Sequence, residues 1–322
     1  GGGGGVILGA PFIVANPGSG TTLLRMMLDA HSELAIPPET HFIVDVIQAA
    51  RQIRKDRNRK PTAEELTAVL TAGRRWQDFH LDDEALRERM ANAEGHTNAR
   101  RALRAFYELY AESQGKPRWG DKTPDYLLHI ARIARTLPEA RFVHLLRDGR
   151  DVALSRRRWR QRAGAGARPI AAWASQWERW ISDGREQGQR AGHYLEVRYE
   201  DLVTDTEPTL RRVCAHCGLE FEPGMLDYHE RASDRLREMD QSLPAKEGKG
   251  AREAGHRQAK HALTAAPPQR DKVYAWRTEM SVEDRAAFEA EAGDLLAELG
   301  YPVGEPATDP GAPGREAEEA AE

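Results

Sequence analysis

Apolar runs alternate along this chain with segments of helical periodicity, a pattern typical of an α/β fold. Residues 12–15 form an uninterrupted apolar run, as expected of a parallel strand that is covered on both faces. Residues 141–146 and 193–198 predict two further strands, and residues 116–120 predict a short one. We therefore expect a parallel sheet flanked by helices.

The stretch between the first strand and the short strand near residue 116 has helical patterning. Leucines and methionines after residue 22 form an apolar stripe, and residues 62–65, Thr-Ala-Glu-Glu, have the form of a capping box. Apolar residues recur at helical spacing again before residue 111. The pattern predicts a helical insertion at about residues 41–116, and a last amphipathic helix that starts at Ser281.

Length and composition indicate a globular enzyme. The chain has 322 residues, 40% hydrophobic and 30% charged, which is enough for one α/β domain, expected over residues 6–303. The net charge of −4 gives no reason to expect nucleic acid. We expect residues 1–5 and 304–322 to be disordered or artificial tails, and we expect a cytoplasmic protein with no signal peptide or membrane span. The oligomeric state is left open.

The two cysteines do not indicate a metal or redox site. Cys214 and Cys217 lie in a segment that predicts a helix ending near Gly218. A zinc site needs a second pair of ligands, and the sequence offers none at a suitable spacing. We expect both cysteines to be reduced residues of the core, and we expect no metal.

The strongest chemical signal is the turn after the first strand, residues 16–22, with the sequence Asn-Pro-Gly-Ser-Gly-Thr-Thr. Glycines let backbone N–H groups approach an anion, and the helix that follows adds positive potential. An isolated glycine pair could equally be a plain turn between strand and helix. The order of strand, loop and helix favours a phosphate site in a fold like that of P-loop NTPases. The lysine of the Walker A pattern is absent, because Gly20 occupies its position.

A further chemical signal is a cation that follows the strand at residues 141–146. Arg147 comes directly after this strand, where a kinase or ATPase usually places a carboxylate that helps to hold Mg²⁺. Because ligands bind beyond the carboxyl ends of parallel strands, Arg147 is expected to face the same crevice as the glycine loop. The pair predicts a nucleotide with an extra anionic group held by protein cations. Most arginines in residues 156–162 are expected to form a solvated helix face.

Five motifs in this order resemble the sulfotransferases that use 3′-phosphoadenosine 5′-phosphosulfate (PAPS), most closely their bacterial and tyrosylprotein branch. They are PGSGTTLLRMMLDAH, PPETHF, WGDKTP, HLLRDGRDVALS and VRYEDLV, and the segments WRTEMS and LLAELGYP are similar as well. The fold that this family implies is a P-loop-like α/β sheet with flanking helices. The activity that it implies is transfer of a sulfuryl group from PAPS to a hydroxyl group.

The resemblance also assigns roles to individual residues. Glu39 matches the base that activates the acceptor hydroxyl, and Lys122 matches a lysine placed against the transferring group. Residues 248–270 match a loop over the cofactor. The remaining residues are assigned to the nucleotide: Gly18, Ser19, Gly20, Thr21 and Thr22 at the 5′-phosphosulfate, Arg147 and Ser155 at the 3′-phosphate, and Tyr199 nearby.

The chemistry fits these residue types. In-line displacement at sulfur needs a base for the acceptor hydroxyl and a positive charge at the leaving phosphate oxygen. Hydrogen-bond donors and one or two cations can stabilise the transferring group, so no divalent metal is expected. Two simpler interpretations stay open: Glu39 could be a dipole-favoured acid at the start of the next helix, and Lys122 could be a solvated surface lysine.

One departure from the family pattern concerns the phosphate loop. Gly18 stands where most members have an arginine or lysine, and Arg25 or a cation from residues 156–162 could compensate for that charge. A lysine near the final tryptophan is also missing, since Ala275 precedes Trp276. The alternatives to a sulfotransferase are an unusual P-loop kinase and a nucleotide-binding homologue with impaired turnover. For the acceptor, we expect a small hydroxylated molecule.

Overall fold

The computed structural model describes residues 9–230, 232 and 265–304. The predictions for residues 1–5, for residues 248–264 of the cofactor-covering loop and for the tail beyond residue 304 lie outside the described residues. Within them the strands are β1 (Ala10–Val14), β2 (Leu34–Ala35), β3 (Arg118–Trp119), β4 (Asp121–Lys122), β5 (Ala140–Leu146) and β6 (Tyr194–Arg198). The helices are α1 (Thr21–Asp29), α2 (Ile43–Arg57), α3 (Ala63–Thr71), α4 (Asp83–Met90), α5 (Ala99–Ser113), α6 (Ile130–Thr136), α7 (Gly149–Arg162), α8 (Ile170–Ala191), α9 (Tyr199–Thr204), α10 (Thr206–Cys217), α11 (Trp276–Glu279) and α12 (Val282–Glu298).

The main sheet has four parallel strands in the order β4-β1-β5-β6. Every residue of β1 is buried, which explains why its sequence is a continuous apolar run rather than an alternating one. Ile13 pairs with Lys122 on one side and with Val143 on the other. This register brings the carboxyl ends of three strands to one edge of the sheet, and it confirms the predicted α/β class.

Helices α2 to α5 form the predicted helical insertion, and their buried apolar residues belong to the same core cluster as residues of β1 and β5. The capping box at the start of α3 is present, since Thr62 and Glu65 exchange hydrogen bonds between side chain and backbone. On α5 the buried Phe106 packs edge-on against Phe42 and Phe79, with ring centroids 4.8 and 4.9 Å apart. These aromatic residues are core residues, as their spacing indicated.

The short strand predicted at residues 116–120 is present as β3, and a second short strand that the sequence did not predict, β4, follows it in a different sheet. β3 pairs in parallel with β2, whereas β4 joins β1 at the edge of the main sheet. Gly120 lies between them, and a Cβ atom there would lie only 2.8 Å from the carbonyl oxygen of Pro11. The chain therefore changes sheets at a glycine, and the sequence pattern could not resolve two elements so short.

The described residues form two compact units. Of the described residues, the first contains 9–147, 180–230, 232 and 265–270, including the six strands listed above, and the second contains 148–179 and 271–304. The single domain expected over residues 6–303 stays a prediction. In the second unit the buried guanidinium of Arg150 lies 3.6 Å from the ring centroid of Trp276 and pairs with Asp148 and Glu289.

Both cysteines are free and buried, as predicted. α10 ends at Cys217, and Gly218 caps it in the left-handed conformation. Burial raises the pKa of the Cys214 thiol to about 11 and that of Cys217 to about 12, so both are protonated at neutral pH. No helix within the described ranges is long and apolar enough to span a bilayer.

Candidate functional site

The loop between β1 and α1 makes its turn through two glycines in the left-handed region. Gly18 has a φ of 105° and Gly20 a φ of 92°. The hydroxyl of Ser19 donates to the carbonyl oxygen of Asn16 at 2.7 Å, and the Ser19 backbone N–H donates to the same oxygen at 3.2 Å. These two hydrogen bonds from Ser19 stabilise the conformation of the loop. α1 begins at Thr21 without a capping side chain, and the Leu23 N–H donates to the Gly20 carbonyl oxygen at 3.0 Å, so the helix N-terminus lies directly beside the loop.

Arg147 lies at this loop. Its Nη1 donates to the carbonyl oxygen of Gly18 at 3.2 Å, across 129 residues of sequence. Its guanidinium carbon also lies 4.1 Å from the ring centroid of Tyr199, the first residue of α9. The residue is buried, with 6% of its surface exposed. The sequence prediction that Arg147 faces the glycine loop is therefore confirmed in geometry.

Tyr199 packs directly on Gly20. A Cβ atom on Gly20 would lie 2.5 Å from two carbon atoms of the Tyr199 ring. Gly20 is therefore required twice, for its backbone conformation and for the space that the ring occupies. The loop, Arg147 and Tyr199 form one cluster, which three separate sequence motifs supply.

Lys122 and Glu39 form a buried ion pair one strand away from the loop. The Lys122 Nζ lies 2.7 Å from Glu39 Oε1, and the two side chains are 4% and 11% exposed. Because Lys122 pairs with Ile13 in the sheet, it lies at the carboxyl edge from which the phosphate loop departs. The surface interpretation of Lys122 is therefore wrong. The interpretation of Glu39 as the start of a helix is also wrong, because α2 begins only at Ile43.

Two further side chains hold the other carboxylate oxygen of Glu39. Arg75 donates from Nη1 to Glu39 Oε2 at 2.9 Å, and His41 Nε2 lies 3.1 Å from the same oxygen. Arg75 comes from the helical insertion, and its sequence neighbourhood carries no motif that would mark it. His41 lies inside the PPETHF motif, which could have indicated it. Sequence analysis missed both residues.

Thr40 holds the segment that carries Glu39 in place. Its backbone N–H donates to Thr123 Oγ1 at 3.0 Å, and its hydroxyl donates to Asp121 Oδ2 at 2.8 Å. Tyr107 donates to the same oxygen of Asp121 at 2.8 Å, and Tyr126 OH lies 2.9 Å from the Thr40 hydroxyl. Glu39 thus contacts Lys122, and the next residue, Thr40, contacts Asp121. The two segments are therefore joined through two adjacent side-chain contacts.

Burial governs the proton states of this network. Complete burial raises the pKa of the Asp121 carboxyl, against the hydrogen bonds from Tyr107 and Thr40, which lower it. Burial also raises the pKa values of the Tyr107 and Tyr126 hydroxyls well above their ordinary range. Both phenols therefore keep their protons; Tyr107 donates to Asp121, and the Tyr126 oxygen accepts from the Ile43 backbone N–H. The network forms a rigid polar support for Glu39 within an apolar core.

The structure places the other predicted residues as follows. Ser155 lies half-buried on α7, within the second unit, and its role stays a prediction. Arg25 is buried on α1 and donates from Nε to the carbonyl oxygen of Ile36 at 3.0 Å. In the arginine run, Arg157 pairs with Asp284, and Arg158 with Glu279. The structure describes no group of three or more histidine, cysteine, aspartate or glutamate side chains, in residues 9–230, 232 and 265–304, that could hold a metal ion.

The parallel sheet, the glycine loop at a helix N-terminus and the adjoining cations define an α/β protein whose glycine loop lies beside buried cations. The model of the sulfotransferase family matches residues 11–223, which is more than half of the chain, and the chain therefore belongs to this family.

Individual relatives are distant. Protein-tyrosine sulfotransferase 2 of Gallus gallus is 27% identical over 224 residues, which cover 68% of this chain and 53% of that protein. Nodulation protein NoeE of Sinorhizobium fredii is 25% identical over 312 residues, 90% of this chain and 65% of that protein. The chain thus spans less than two thirds of each relative. Among solved structures, the sulfotransferase domain from the curacin biosynthetic pathway superposes with a TM-score of 0.60 at 20% identity, covering 92% of this chain and 99% of that domain.

Proposed function

We propose that this chain transfers the sulfuryl group of PAPS to a hydroxyl group of a small-molecule acceptor and releases 3′,5′-adenosine bisphosphate. The observation that carries this proposal is the pair formed by Lys122 and Glu39, 2.7 Å apart at the sheet edge from which the phosphate loop departs. In-line transfer at sulfur needs a base for the acceptor hydroxyl and a cation for the leaving oxygen, and the pair supplies one buried group of each kind.

The residues of the loop fit a phosphosulfate group. The side-chain nitrogen of Asn16 is buried and has no hydrogen-bond acceptor among the described residues, so it can donate to an anionic oxygen. The N-terminus of α1 and the backbone at Gly18 and Gly20 supply further donors. Arg147 lies at the Gly18 carbonyl, so a cation is already present where the motif lacks its usual basic residue.

Each residue of the pair has a separate task. PAPS, when bound, supplies the sulfuryl group and a stable leaving phosphate. Glu39 accepts the proton of the acceptor hydroxyl, and Lys122 neutralises negative charge that develops on the leaving oxygen. Thr40 and its partners keep the Glu39 carboxylate oriented. Arg147 and Tyr199 hold the nucleotide.

We infer the class of acceptor from how little of the proposed base, Glu39, is accessible. The Glu39 side chain is only 11% exposed, and three side chains surround its carboxylate. Such a recessed group favours a small hydroxylated molecule. A peptide tyrosine is the competing acceptor, because relatives carry the name of protein-tyrosine sulfotransferase. We place the reaction in the cytoplasm, which the free buried thiols of Cys214 and Cys217 support.

The test is transfer of ³⁵S-labelled sulfate from PAPS to a panel of phenols, alcohols, sugars and tyrosine peptides in the presence of EDTA. We expect a labelled product with at least one small acceptor and none with the peptides. Labelling of peptides alone would overturn the acceptor class. Tight binding of the bisphosphate without transfer to any acceptor would favour a homologue that has lost turnover.

A further inference from the structure

His41 is a neighbour of Glu39 to which the proposed function gives no task. Its Nε2 lies 3.1 Å from Glu39 Oε2, and its Nδ1 lies 4.0 Å from Asp125 Oδ2. The imidazole therefore stands between a buried carboxylate and a second carboxylate. Each ring nitrogen faces one of them.

Exposure increases along this line of three side chains. The exposed fraction is 11% for Glu39, 39% for His41 and 51% for Asp125. Lys122 and Arg75 also contact the Glu39 carboxylate, and their side chains are 4% and 17% exposed. Because both of those groups are cations, neither can accept the proton. Of the side chains of Lys122, Arg75 and His41, the imidazole is the one that can accept a proton and also reaches solvent.

We propose that His41 is a positioning residue that relays to solvent the proton that Glu39 takes from the acceptor. This inference rests on the proposed function. Transfer forms a bond between the acceptor oxygen and sulfur and breaks the bond from sulfur to the leaving oxygen, which keeps the electron pair. The acceptor's proton goes to Glu39. His41 Nε2 then takes this proton, and Nδ1 releases one to water beside Asp125, so the carboxylate is restored for the next cycle.

The charges around His41 favour this direction of proton movement. Glu39 and Asp125 face the ring itself, Lys122 contacts Oε1 of Glu39, Arg75 contacts the same Oε2 as His41, and the buried Asp121 lies on β4. The two cations stabilise the ionised form of Glu39 and so favour loss of its proton. The carboxylates of Glu39 and Asp125 stabilise a positive charge on the ring while the proton passes through it.

The backbone at His41 allows clean substitutions. His41 has a φ of 56°, in the left-handed region that asparagine and glycine tolerate best. His80 also has a positive φ, 52°, and it is exposed. His80→Asn is therefore a matched control for His41→Asn, because the residue type and the positive sign of φ are the same in both.

The kinetic test compares these variants in sulfate transfer. We expect His41→Asn to lower kcat about tenfold, with a smaller change in kcat/KM, since the proton leaves after the transfer step. His80→Asn should match the wild type. In His41→Gly, added imidazole should restore kcat, and more strongly at pH 8 than at pH 5.5, because neutral imidazole is the acceptor. A kcat of His41→Asn within twofold of the wild type, or a slow His41→Gly that imidazole does not rescue, would overturn the relay.

A second test needs no turnover. With ¹⁵N-labelled histidine at a fixed neutral pH, the ring signal of His41 is assigned by its absence in His41→Asn. We expect Glu39→Gln to shift this signal and to leave that of His80 unchanged. An unchanged His41 signal would overturn the contact on which the relay depends, whether or not an acceptor is known. Full sulfate transfer by Glu39→Gln would instead refute the base role of Glu39, so the two failures are distinguishable.

Discussion

The Arg147 guanidinium lies between the phosphate loop and the ring of Tyr199, 3.2 Å from the Gly18 oxygen and 4.1 Å from the ring centroid. The sequence predicted the glycine loop and Arg147 as two separate anion sites, and this contact brings them together. A buried guanidinium at the end of a central strand can serve a phosphate on either side of it. The first prediction follows from this contact.

Replacing Arg147 by alanine should weaken binding of 3′,5′-adenosine bisphosphate about ten- to hundredfold, because a charge-assisted hydrogen bond is lost. The loss for adenosine 5′-monophosphate should be much smaller if Arg147 serves the 3′-phosphate. Calorimetry with both nucleotides measures the difference. Arg141→Ala is the control, since Arg141 lies near the other end of the same strand and donates to local carbonyl groups. Equal losses for both nucleotides would remove Arg147 from the 3′-phosphate.

Gly20→Ala should abolish bisphosphate binding or weaken it at least tenfold, because the new methyl group would overlap the Tyr199 ring. The matched control is Gly115→Ala. Gly115 also has a positive φ, 67°, but a Cβ atom there would meet nothing within 4 Å. Gly115→Ala therefore introduces backbone strain without a steric clash. If the two variants lose equal stability and Gly20→Ala still binds the bisphosphate normally, the ring does not define the loop.

Glu39→Gln should leave bisphosphate affinity unchanged and lower kcat about a hundredfold or more, because the amide cannot accept the acceptor's proton. Calorimetry and the labelled-sulfate assay measure the two quantities. Glu33→Gln, at an exposed position on the preceding loop, makes the same change of charge and should behave as the wild type. Normal turnover in Glu39→Gln would place the base elsewhere.

Lys122→Met should lower kcat/KM at least tenfold, since it removes the buried cation in contact with Glu39. In a Glu39→Gln background the same substitution should cost less, because the two residues act as a unit. Steady-state kinetics of the two single variants and the double variant give the coupling. Lys60→Met, at an exposed position, is the control. Strictly additive effects would show that the contact between Lys122 and Glu39 has no part in transfer.

The stability of the fold should fall in acid because of His144. Burial, with a smaller effect from Arg185, lowers the pKa of this histidine from 6.5 to about 3. Its folded form stays neutral while the unfolded chain takes up a proton, so stability is full above pH 6.5 and is lost as the pH falls toward 3. Between pH 6 and pH 4 the wild type should lose about 1.4 kcal/mol per pH unit more than His144→Leu. Urea unfolding at several pH values measures this, and parallel slopes would contradict it.

The sequence predicted local features better than contacts between residues that are far apart in the chain. The glycine turn between β1 and α1, the capping box of α3 and the helix end at Gly218 are local patterns, and the structure confirms them. Arg147 at the loop followed from a general rule on the carboxyl ends of parallel strands. Arg75 at Glu39 could not be predicted, because the contact joins residues 36 positions apart through helical packing that no motif encodes.

Short elements and buried polar networks were also beyond the sequence. β3 and β4 have two residues each, too few for a periodic pattern. The hydrogen bond between Thr40 and Asp121 joins residues 81 positions apart, and their residue types alone do not indicate that they meet. By contrast, the order of five motifs indicated which residues meet at the sheet edge, although it assigned Ser19 to the ligand while the structure shows its hydroxyl bonded to Asn16.

The most direct measurement is calorimetry of the wild-type chain with 3′,5′-adenosine bisphosphate and with ATP, each in EDTA and in Mg²⁺. A site built from backbone amides, Arg147 and Lys122 should bind the bisphosphate more tightly than ATP and should do so equally with and without the metal. ATP binding that equals or exceeds that of the bisphosphate, and that depends on Mg²⁺, would contradict PAPS as the donor and favour a kinase.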